Sequence, residues 1–171
     1  MPRSADAARA SLDLARRMAQ HSLTEARRAV LDLRAAALDH QDLTTALKSG
    51  IGLWAADSGV DVDVQVSGET TDLPQDVAHQ VLRIAQEALN NVLKHSGADR
   101  VDLKLRVEPQ RLNLNVADNG CGFEPDGVFT AVSGHFGIIG MRERARRLGG
   151  DLHLDSRPGE GTRLEVTVPL P

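Results

Sequence analysis

Strict period-two alternation constrains this chain more than any other feature. From Val101 to Val107 every second residue is apolar, and the pattern resumes at Leu112, Leu114 and Val116 after Glu108-Pro109-Gln110. Side chains alternate across a pleated backbone with that period, so the pattern predicts a hairpin of strands at about 100–107 and 111–118. Residues 60–67, Val-Asp-Val-Asp-Val-Gln-Val-Ser, alternate the same way and predict a half-buried strand. Two more strands, about 151–156 and 161–168, flank Arg157-Pro158-Gly159-Glu160-Gly161.

Helical patterns separate these strands. Asp42 is placed to cap a helix over about 43–57 that ends at Gly59. Pro74 suits the first turn of a helix reaching about Ser96, with Val77, Val81, Ile84, Ala88 and Val92 on a broad apolar face. A further helix over about 137–148 stops at Gly149-Gly150, and the glycine-rich stretch 119–137 before it lacks periodicity and reads as mobile. Residues 5–37, rich in Ala, Arg and Leu without Gly or Pro, predict a long N-terminal helix. Its narrow seam of Leu23, Ala26, Val30, Leu33 and Ala37 suits self-association as a homodimer, or packing on the rest of the chain. The expected division is a helical segment over 1–40 and a globular domain over 41–171.

Composition excludes several functions. A net charge of -4 lacks the basic footprint of a nucleic-acid protein, and aromatics at 2% with no Tyr leave no stacking platform, so no direct nucleic-acid contact is expected. Arg142, Arg144, Arg146 and Arg147 read as a solvated helix face. The single cysteine, Cys121, forbids an internal disulfide and fits a reducing cytoplasm; no flanking base marks it as a nucleophile. No apolar run approaches the ~18 residues of a membrane span, and the first residues do not resemble a signal peptide. Membrane contact within this chain is not expected; an anchor would lie upstream of it.

Four short stretches could carry chemistry. In Gln86-Glu87-Ala88-Leu89-Asn90-Asn91-Val92-Leu93-Lys94-His95, helical spacing puts Glu87, Asn91 and Lys94 on one face and Asn90 on another. An Asn carbonyl is a hard ligand suited to magnesium, Glu87 could take a proton or hold a metal-bound water, and Lys94 or His95 could reach a phosphate. The same residues equally describe a charged helix edge. Asp118-Asn119-Gly120-Cys121-Gly122-Phe123 follows an apolar strand, so Asp118 is aimed at a cleft where it could accept from a purine amine; the alternative is an ordinary Asp-Asn-Gly turn. Gly134-His135-Phe136-Gly137-Ile138-Ile139-Gly140-Met141 opens a helix and could bind an anion, but it is neither a dinucleotide fingerprint nor a P-loop. Gly159-Glu160-Gly161-Thr162 by itself is a hairpin turn.

Taken in order, the four stretches resemble the ATP-binding domain shared by sensor histidine kinases, DNA gyrase B, the Hsp90 chaperone and MutL, over about residues 60–170. Their particular form resembles sensor kinases of the nitrate-sensor and DesK type. The resemblance implies a two-layer α/β sandwich of a mixed sheet and helices, the Bergerat fold, here preceded by a long helix. It implies ATP and Mg2+ as cofactors, with Asn91 as the metal ligand and Glu87 as the family's acidic catalytic residue. It further implies nucleotide contacts at Asn91, Lys94, His95, Asp118, Gly120, Gly122, Gly137, Ile138, Gly140, Met141 and Thr162, a lid over 123–136, and a response regulator with a helix-turn-helix output domain as partner.

The chain departs from the pattern at the phosphoacceptor. No His is followed by Asp, and His21 reads as a helix-surface residue; Glu25-Ala26-Arg27-Arg28-Ala29-Val30-Leu31-Asp32-Leu33-Arg34 resembles the second helix of the dimerisation hairpin, so the acceptor is expected upstream. The leading expectation is therefore the catalytic region of a histidine kinase whose acceptor histidine lies outside this chain. Two alternatives stand beside it: a serine kinase of the anti-sigma-factor type on the same fold, and a dimerisation module with a degenerate nucleotide site.

Overall fold

The computed structural model describes residues 42–125 and 136–171. The expected N-terminal helix with its seam, His21, and residues 126–135 of the glycine-rich stretch lie outside the described residues. The order is α1 (Leu43–Ser58), β1 (Asp61–Ser67), α2 (Gln75–Asn91) continued by a π-helical turn (Val92–Ser96), β2 (Arg100–Glu108), β3 (Arg111–Asp118), α3 (Phe136–Arg147), β4 (Asp151–Arg157) and β5 (Gly161–Pro169).

Five strands form one mixed sheet in the order β1-β2-β3-β5-β4. β2, β3, β5 and β4 pair antiparallel, whereas β1 pairs parallel with β2. Parallel neighbours need a crossover, and α2 supplies it. The alternation then decides the layers. Leu103, Leu105, Leu112, Leu114, Val166 and Val168 are buried on the face covered by helices, packed with Val81 and Ile84 of α2 and Met141 and Ala145 of α3. The intervening residues Lys104, Arg106, Arg163, Glu165 and His153 are exposed. Helices on one face and charge on the other make a two-layer α/β sandwich.

The third predicted helix differs from expectation in its last turn. It is α-helical to Asn91, then widens into the π-helical turn Val92–Ser96, and stops at Gly97 in the left-handed region (φ 61°). Helix α1 ends the same way at Gly59 (φ 72°). At its start, the Asp42 carboxylate accepts from the backbone N–H and the hydroxyl of Thr45, both at 3.0 Å.

The Thr45 N–H, chief among the donors at Asp42, holds its carboxyl below the usual 3.8. A lowered folded-state pKa gives stability that is present above the unfolded value and lost as pH falls through the folded one. Asp42→Ala is expected to cost about 1 kcal/mol at neutral pH. The gap from wild type should close on acidification below pH 3.8 in urea melts followed by circular dichroism.

Candidate functional site

The apolar face of the sheet ends in polar residues. Asp118 pairs in register with Thr162, and Thr162 with Ser156, so three neighbouring strands present them side by side. All three follow the parity of the buried positions Val116, Leu164 and Leu154 and face the helix layer. There the two layers part around a cavity of about 490 Å³, within the range of small-molecule sites. Val116, Leu154 and Leu164 form its apolar floor, with Asp118 and Thr162 at the strand ends.

The facing wall is α2 and its π-helical turn, which bring Glu87, Asn91, Lys94 and His95 to the same cavity. Asn90, one step round the helix, is buried. Helix α3 contributes Gly137, Ile138 and Met141. Gly137 lies hard against this wall: a Cβ there would collide with Glu87 Oε1 and stand 3.5 Å from Asn91 Oδ1. A side chain at 137 would therefore displace the Glu87 carboxylate from its place on this wall.

The loop after β3 is fastened on both sides. Its Cys121 N–H donates to Ser96 O at 2.8 Å, the terminal carbonyl of the π-helical turn. On the other side Gly159 N–H donates to Cys121 O at 2.7 Å, and Phe123 N–H to the buried Ser156 hydroxyl at 3.0 Å. Asn119 Oδ1 accepts from the Asp99 and Arg100 amides at 3.2 and 3.1 Å. Gly122 sits at φ 58°, where a Cβ would strike Arg157 O. Burial pushes the Asp118 carboxyl above 3.8, partly offset by N–H groups of Gly120 and Thr162; the Gly120 N–H donates at 2.8 Å.

Of the residues singled out from sequence, Glu87, Asn91, Lys94, His95, Asp118, Gly122, Gly137, Ile138, Met141 and Thr162 line this cavity. Gly120 and Gly140 are not among its lining residues. Gly120 packs on Ser96, whose backbone and Cβ leave no room for a side chain, and Gly140 faces the end of the flexible Arg144 side chain. Sequence reasoning missed Ser96 and Ser156. The signal for Ser156 was available: it is a polar residue where the alternation of Leu152 and Leu154 calls for an apolar one.

Residues 76–171, more than half of the chain, match the family model described as histidine kinase-, DNA gyrase B-, and HSP90-like ATPase. The chain belongs to this family of ATP-binding domains. It is similar to the signal transduction histidine-protein kinase/phosphatase DegS of Brevibacillus brevis, 34% identical over 91% of this chain and 39% of DegS. It is likewise similar to the sensor histidine kinase LiaS of Bacillus subtilis, 33% identical over 90% of this chain and 41% of LiaS. The chain thus spans about two fifths of the length of these curated relatives. The histidine kinase domain of the Erythrobacter litoralis EL346 blue-light activated kinase shares the fold, with a TM-score of 0.68, 23% identity, and coverage of 86% of this chain and 75% of that one. Among the described residues no helix is long and apolar enough to cross a membrane.

A raised carboxyl pKa means that ionised Asp118 costs folding stability at neutral pH, the reverse of Asp42. Asp118→Asn is expected to leave the melting temperature of the ligand-free chain unchanged or higher. If the ionised carboxylate receives a base amine, nucleotide affinity should also begin to fall, on acidification, at a pH above the 3.8 of an ordinary aspartate. Differential scanning fluorimetry and a calorimetric pH series check the two effects separately.

Proposed function

We propose that the cavity binds ATP with Mg2+ and that the chain is the catalytic region of a two-component sensor histidine kinase. The observation that carries this reading is the contrast between the two sides of one cavity. A half-buried carboxylate stands over an apolar floor at the strand ends, and a lysine, an imidazole and hard oxygens stand on the α2 wall. The first suits the amine and flat ring of adenine. The second suits a triphosphate.

In this reading Asp118 accepts from the adenine amine, Thr162 supports it, and Gly122 lines the ring's side of the cavity. Lys94 and His95 contact the phosphates, and Gly137, Ile138, Gly140 and Met141 form the closing end of the lid. The donors fit magnesium: one amide oxygen, Asn91 Oδ1, with the Glu87 carboxylate on the same helix face, leaves most coordination positions to water and phosphate. Magnesium would neutralise phosphate charge there. In the same reading Glu87 is the acidic residue that orients the incoming nucleophile.

The γ-phosphoryl would pass to a histidine outside this chain and then to a response regulator with a helix-turn-helix output domain. The segment 1–40 would supply half of the dimerisation element, and the chain would act in the cytoplasm. The test is transfer from radiolabelled ATP to a separately supplied dimerisation segment carrying the histidine. Acid-labile, base-stable phosphate is expected, and Glu87→Gln should slow its formation at least ~100-fold. Acid-stable phosphate on serine, or no ATP binding at millimolar concentration, would overturn the reading.

A further inference from the structure

We infer that Ser156 is a specificity-positioning residue: it turns the Thr162 hydroxyl into a pure acceptor and so tunes the base end of the cavity toward an amine-bearing purine. The inference rests on reading the cavity as the ATP site and adds to it a residue that does not itself line the cavity.

The argument is a count of protons. Ser156 lies 5% exposed, on the buried face of β4. A hydroxyl has one hydrogen to donate and two lone pairs to accept with. Three partners surround the Ser156 oxygen: Phe123 N at 3.0 Å, Gly161 O at 2.9 Å and Thr162 Oγ1 at 3.1 Å. The Phe123 amide can only donate, so it takes one lone pair. The Gly161 carbonyl can only accept, so it takes the serine hydrogen. The contact with Thr162 is then a hydrogen bond only if the threonine donates to the remaining lone pair of Ser156. With its hydrogen committed away from the cavity, Thr162 Oγ1 turns lone pairs alone toward whatever lies there.

Thr162 stands in register beside Asp118. An ionised carboxylate is acceptor-only. The base end thus presents two acceptors next to each other and no side-chain donor from this row. A 6-aminopurine offers N–H groups to that edge. A 6-oxopurine such as hypoxanthine or guanine offers a carbonyl oxygen at that atom, and the hydrogen it carries instead at N1 can satisfy at most one of the two acceptors, leaving the oxygen to face the other. Without Ser156, the Thr162 hydroxyl would be free to rotate and donate to that oxygen.

The experiment compares ATP and inosine triphosphate binding to the full 171-residue chain by calorimetry, because the two differ only in the 6-substituent and the N1 hydrogen that accompanies it. In wild type ATP should bind more tightly. Ser156→Ala should shrink the ratio of the two dissociation constants about tenfold, one hydrogen bond's worth. Ser156→Thr, which keeps the hydroxyl, should restore the ratio. A merely structural role predicts something else: both nucleotides weaken by the same factor and the ratio holds, which would overturn the inference. Should Ser156→Ala fail to fold by circular dichroism, Thr162→Val addresses the same point, since it leaves Ser156 its bonds to Phe123 and Gly161. Loss of ATP affinity without loss of inosine triphosphate affinity supports the acceptor assignment, and equal loss of both overturns it. A wild-type chain that binds the two nucleotides equally defeats this inference and leaves ATP binding standing. A wild-type chain that binds neither defeats the reading of the cavity itself.

Discussion

The alternation that buries Val116, Leu164 and Leu154 under α2 and α3 runs one step further along each strand, and that step delivers Asp118, Thr162 and Ser156. Everything at the base end of the cavity depends on this shared register. A slip of one residue in β5 would send Thr162 to the charged outer face and bring a neighbour inward. The burial of the strands' aliphatic side chains holds the register, so the same hydrophobic layer that stabilises the domain also aligns its polar row. The cavity is where that layer stops.

Two aspartates show how differently the fold treats a carboxylate. Asp42 sits near solvent at a helix start, gathers N–H and O–H donors, and its ionised form is favoured by folding. Asp118 is half-buried, and its donors at Gly120 and Thr162 only partly offset the loss of water. A structural cap and a recognition group are thus distinguished by the sign of their effect on stability. The domain tolerates the second because the aliphatic layer beside it is extensive.

Much of this was legible from residues alone because it is local. Period-two runs placed all five strands to within a residue or so at their ends, and Asp42 and Gly59 bounded α1 through their own capping chemistry. The same holds for the cavity-facing side of α2, since Glu87, Asn91 and Lys94 converge by helical spacing. What could not be read is non-local. Nothing in β1 announces that it pairs parallel with β2, because that choice is made by where α2 returns the chain. The π-helical turn at Val92–Ser96 has no propensity signature; it is held by the Ser96 hydroxyl donating to Val92 O at 2.9 Å and by Cys121 arriving from another part of the chain. The missing side chain of Gly120, which makes room for Ser96, is likewise a matter of two distant parts of the chain meeting.

That junction has a consequence for how tightly a ligand can be held. The carbonyls at the end of a helix ordinarily lack partners. Here His95 O accepts from the Cys121 thiol at 3.3 Å and Ser96 O from its amide, so the end of the α2 segment and the loop after β3 are joined by the protein's own backbone. These are the two segments that carry Lys94 and His95 on one side of the cavity and Gly122 on the other. A molecule spanning the cavity would find that separation already set. The conformational entropy of bringing the two walls together is lost once, during folding, and is not charged again to each binding event.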